Sequence, residues 1–65
     1  MAMNMNDFSV NQVVAGQVAG TFVILGFRRI GGEEFAQLKP VHPITHKPGR
    51  GELALPLSAL RAVSP

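Results

Sequence analysis

Thr21-Phe22-Val23-Ile24-Leu25-Gly26-Phe27-Arg28-Arg29-Ile30-Gly31-Gly32-Glu33-Glu34-Phe35 is the stretch whose reading decides the fold. Residues 21–29 are dense in β-branched and aromatic side chains, which fit a pleated, half-buried surface. Strict alternation sets Phe22 and Ile24 on one face and Val23, Leu25 and Phe27 on the other. Apolar residues on both faces mark a central strand, or one whose outer face meets another subunit. Gly31-Gly32 supplies the positive φ of a tight primed turn, so residues 30–33 read as a hairpin. Residues 34–41 return as a strand through Phe35, Leu38 and Val41.

Upstream, residues 12–18 carry Val13, Val14 and Val18, with Gly16 as a bulge or bend. Ala19-Gly20 turns the chain. Downstream, residues 43–51 form a polar loop rich in Pro and Gly. A short strand over 52–55 ends at Pro56, residues 57–60 make one helical turn, and 61–63 form a last strand. Gly and Pro punctuate the chain too often for long helices. Five short strands with one helical turn before the last predict an all-β, SH3-like barrel. Its interior is expected to hold Val14, Ile24, Phe35 and Leu53. Residues 1–7 read as a flexible tail and 8–65 as the single domain.

A chain of 65 residues has room for one domain, and domains of this size are marginal alone. Common remedies are disulfides, a metal or self-association. Cys is absent, which removes disulfides and thiolate metal sites and fits a reducing cytoplasm. A homo-oligomer is therefore expected. The longest purely apolar run is Phe22-Val23-Ile24-Leu25, far below the ~20 residues that span a bilayer. The start of the chain lacks the basic and apolar pattern of a secretory signal. A soluble, cytoplasmic protein without membrane contact is the expectation.

Catalytic chemistry finds little support. Glu33 and Glu34 are adjacent, so a strand points them to opposite faces and they cannot act as a carboxylate pair. His42 and His46 are four apart, but Pro43 lies between them and a third ligand is missing, so no metal site is expected. Ser9, Ser58 and Ser64 have no nucleophile-elbow pattern around them. Gly16-x-x-x-Gly20 is followed by neither helix nor Lys and fits no phosphate-binding loop. No catalytic residue, cofactor or small-molecule substrate is predicted.

The cations carry more. Lys and Arg exceed Asp and Glu by 6 to 4, a small surplus. His46-Lys47-Pro48-Gly49-Arg50-Gly51 is compact, basic and extended, suited to lie along a phosphate backbone or enter a minor groove. Arg28, Arg29, Lys47 and Arg50 are accordingly the candidate nucleic-acid-binding residues. Exposed aromatics for stacking are scarce, because all four aromatics are Phe and three of them, Phe22, Phe27 and Phe35, sit where a core needs them.

From Phe8 to Val63 the chain resembles the plasmid-encoded type II dihydrofolate reductases, SH3-like barrels that assemble into a tetramer around a pore. Phe8 with Gln12-Val13-Val14 is similar to the family's approach to its first strand. Ile24-Leu25-Gly26-Phe27 matches its aliphatic-aliphatic-Gly-aromatic strand. Glu33-Glu34-Phe35-Ala36, then His42-Pro43, follows its acid, aromatic-Ala and His-Pro order, and Pro56-Leu57-Ser58-Ala59-Leu60 fits its Pro-Val-Ala-Ala-Leu segment. The resemblance implies the fold, an oligomer and a plasmid setting. Its Gln-Ile-Tyr pore triplet is replaced here by Leu53-Ala54-Leu55, and residues 44–50 form an insertion. Without the amide and the phenol the activity does not carry over with the fold. The leading expectation is a non-enzymatic, self-associating binding module that meets nucleic acid through a basic loop. The alternative is an NADPH-dependent dihydrofolate reductase with a rebuilt site.

Overall fold

The glycine pair forms the turn that its composition demands: Gly31 and Gly32 have φ of 57° and 81°, and Ile30 and Glu33 face each other across them. In the computed structural model, which describes residues 8–63, this turn joins two long strands, β2 (Thr21–Ile30) and β3 (Glu33–Pro40). They are flanked by β1 (Val13–Gly16), β4 (Leu53–Pro56) and β5 (Leu60–Ala62), with a 3-10 turn at Leu57–Ala59 leading into β5. The chain is all-β. Among the described residues five strands form one antiparallel sheet in the order β4-β3-β2-β1-β5, with β2 central as both-faced apolarity predicts. The tail expected over 1–7, and Ser64, lie outside the described residues.

β4 and β5 are the two edges of the sheet, yet only Leu57–Ala59 joins them, so the sheet curls to bring its edges together. Gln17 fastens the curl: its backbone N–H donates to the Ala59 carbonyl at 3.0 Å and its side-chain amide donates to the Ser58 carbonyl at 2.8 Å. Inside lie Val14, Phe22, Ile24, Ala36, Leu38, Leu57 and Leu60, with Phe8 and Leu55 packed against them. Gly20, at φ 98°, lets the β1–β2 turn press onto Phe22; a Cβ there would stand 2.6 Å from the ring. Close packing of so few side chains is the main stabilising term available to a sheet this small.

Three features differ from the sequence expectation. β1 stops at Gly16 rather than 18, because Gly16 already donates its N–H across the turn to Gly20. Val18 is thereby left fully exposed. The second difference is a register shift between Ile24 and Gly26, which makes Leu25 an extra residue in β2. Alternation restarts after it, so Phe27 pairs with Ala36 instead of sharing the face of Val23, and it remains 40% exposed. The third concerns the core. Val14 and Ile24 are buried as expected, but Phe35 is only half-buried and Leu53 is 36% exposed. On β3 the buried residues are Ala36 and Leu38, so strand parity sends Phe35 outward.

Candidate functional site

The loop between β3 and β4 is a structured extension of the sheet. Val41 bridges Pro48, and the Gly49 N–H donates to the Pro40 carbonyl at 2.8 Å. Within it His42 organises the bend: its Nδ1 accepts the backbone N–H groups of Ile44 at 3.1 Å and Thr45 at 3.2 Å. That nitrogen is therefore occupied as a turn acceptor. His46 adopts φ 61° and donates its N–H back to the His42 carbonyl. Among the described residues no group of three or more His, Asp and Glu comes together.

Lys47 and Arg50 sit on this exposed loop, beyond the end of β3. Arg28 and Arg29 lie near the hairpin at the other end, where they face Phe35 and Glu34 in register. From Phe35 to the loop at Pro40 is five residues of strand, or about 17 Å. The four candidate cations thus form two separate pairs. Arg28 and Arg29 also split between faces, as neighbours on a strand must. Arg29 stays on the side of Glu34, its register partner.

Between the two ends runs the outer face of β3. Phe35, Gln37 and Lys39 alternate with buried Ala36 and Leu38 and so share that face. Their β2 partners are Arg28, Gly26 and Val23 respectively. On the β4 side Pro56 faces Phe35 and Ala54 faces Gln37. The result is a strip: a cation beside an aromatic ring, then an amide between Gly and Ala, then a cation beside Val. A Cβ placed on Gly26 would meet nothing within 4 Å, so the surface beside Gln37 is open.

Sequence reading missed Phe35, Gln37 and Lys39 as a set, because it grouped Phe35 with Leu38, three positions on. The signal was present. Polar residues at positions 37 and 39 share the parity of position 35.

A second feature lies beside the β1–β2 turn. Gly16, Val18, Ala19, Phe22, Leu53, Leu55 and Ala59, with Gln17 as the one polar side chain, wall a mostly apolar groove of about 290 Å³. Leu53 and Leu55 stand on β4, the outermost strand of the sheet beyond β3. Exposed Val18 stands at the groove's rim.

Comparison with known protein families, with characterised proteins and with solved structures finds no match for this chain.

Proposed function

We propose that this chain is an SH3-like barrel of the type II dihydrofolate reductase kind in fold, working as a self-associating, non-enzymatic module that binds nucleic acid. The curl that brings the β4 and β5 edges together and ties Gln17 to Ala59 supports the barrel reading. The observation that carries self-association without enzyme chemistry is the groove wall. Leu53 and Leu55 occupy positions where the reductase family holds Gln and Tyr, and here they make an apolar surface with Phe22, Ala59 and exposed Val18. Gln17 is the one polar side chain on this wall and its amide is already tied to the Ser58 carbonyl, which leaves little for a pteridine or a nicotinamide, whose polar edges need hydrogen-bonding partners on burial. The surface suits a second copy of the chain. Covering it supplies the apolar burial that a 65-residue domain without disulfides lacks.

Light scattering coupled to size exclusion tests this. The native chain runs as a dimer or larger, and Leu53→Lys, which sets a charge on the half-exposed wall, runs as a monomer with its fold intact. A native chain that stays monomeric at high concentration overturns self-association. The partner in this reading is nucleic acid, met by Lys47 and Arg50 on the basic loop. Attraction of that kind weakens steeply with added salt, as counterions are released.

A further inference from the structure

We propose that the outer face of β3 is a track for single-stranded nucleic acid, with Phe35 as its stacking platform. This rests on the reading that nucleic acid is the partner, and it names the surface and the strandedness. The residues at hand are Arg28 and Phe35 opposite each other, Gln37 opposite Gly26, and Lys39 opposite Val23, all on one face of two paired strands. They supply the three elements that single-strand binding combines. A ring offers a π-face on which any base can stack. The Gln37 amide has both a donor and an acceptor for a base edge, and the missing side chain at Gly26 leaves room beside it. Arg28 at one end and Lys39 at the other meet the phosphates.

The geometry sets the size. Phe35 and Lys39 are four residues apart, or about 13 Å, room for about two bases, a number that comparable strand faces stack. Beyond Lys39 the strip runs into the loop that holds Lys47 and Arg50, because Gly49 is hydrogen-bonded to Pro40. Arg28 at one end and the Lys47 and Arg50 pair at the other thereby become the ends of one continuous surface, with Arg29 left on the opposite face. Duplex bases are already stacked on each other and cannot reach a ring on a sheet, so the track selects unpaired strands. An acidic peptide would use the cations alone and leave Phe35 and Gln37 without a role.

Fluorescence anisotropy with a 5′-labelled, mixed-sequence ten-nucleotide single strand at low salt tests the track, with a duplex of equal length as comparison. The single strand is expected to bind more tightly than the duplex. Phe35→Ala should weaken it about tenfold or more, and Arg28→Ala and Lys39→Ala should each lower the salt slope by about one. The chain has no Trp, so Phe35→Trp provides a direct reporter whose emission is quenched as a base stacks on it. This variant decides the matter if Phe35→Ala fails to fold. Unchanged Trp emission at saturating strand overturns the track, as does a duplex bound as tightly as the single strand. Native affinity in Phe35→Ala, with binding lost in Lys47→Ala and Arg50→Ala, overturns the track and leaves the loop reading standing. Absence of binding to either probe removes both.

Discussion

Arg28 stands directly opposite Phe35 on the outer face of the sheet because Leu25 is an extra residue in β2. Counted without that shift from the Ile24–Leu38 pair, Phe27 would face Phe35, and Arg28 would turn toward the inner side. The bulge thus exchanges an aromatic pair for a cation beside an aromatic. An exposed cation over a ring contributes only about 0.5–1 kcal/mol to stability. The gain is chemical, since charge and π-surface are placed together on the outer, partly exposed face.

Gly26 follows the bulge and faces Gln37, with open space above its Cα. Its φ lies outside the left-handed region, so a side chain is tolerated there. Gly26→Thr is expected to hold or raise stability by up to about 1 kcal/mol, because Gly inside a strand is entropically costly. It should weaken single-strand binding by filling the hollow. Paired urea melts and anisotropy titrations read both effects.

Gly20 and Gly31 both have positive φ, but their surroundings differ. A Cβ on Gly20 runs into the Phe22 ring, whereas one on Gly31 meets open solvent. Gly31→Ala should cost about 1–2 kcal/mol from backbone conformation alone. Gly20→Ala should cost more, because Phe22 must also leave its place in the core. Chemical denaturation of the two variants should rank them in that order.

Leu38 and Phe35 are three residues apart on β3 and point to opposite sides of it. Leu38 is fully buried, and Leu38→Ala is expected to cost about 2–5 kcal/mol, enough to leave a domain of this size largely unfolded. Phe35→Ala removes a larger side chain from outside the core cluster and should cost less. Circular dichroism melts that showed the reverse order would contradict the face assignment.

His42 holds the loop through two backbone N–H groups. His42→Ala should destabilise the chain by about 1 kcal/mol, while His42→Asn, whose side-chain oxygen can accept the same donors, should lose less. Urea midpoints for the two variants check this, with amide exchange at Ile44 and Thr45 as the local readout.

Much of this architecture is legible in the residues. Gly31-Gly32 fixes the hairpin because few other residues accept positive φ at both turn positions. Pro56 and the short segments around it place β4, the 3-10 turn and β5 within a residue or so. The bulge is harder to see, since Val23-Ile24-Leu25 is a run of similar side chains in which any one can be the extra residue. Gly26 is the only local mark, a glycine inside a strand being a frequent companion of a bulge. The outward turn of Phe35 is hidden for a related reason. Hydrophobicity alone assigns it inward, and only its parity with Gln37 and Lys39 assigns it outward. The groove could not be read at all, because it is made where Gly16 and Ala19 meet Leu53 and Leu55 across the curled sheet.

The most direct measurement is an ¹⁵N amide chemical-shift titration of the native chain with a ten-nucleotide single strand at low salt. The largest shifts should fall on Phe35, Gln37 and Lys39, with Arg28 and Gly26 beside them, and fade toward the buried face. Shifts confined to the Lys47–Arg50 loop, or an unchanged spectrum at excess strand, would contradict the account.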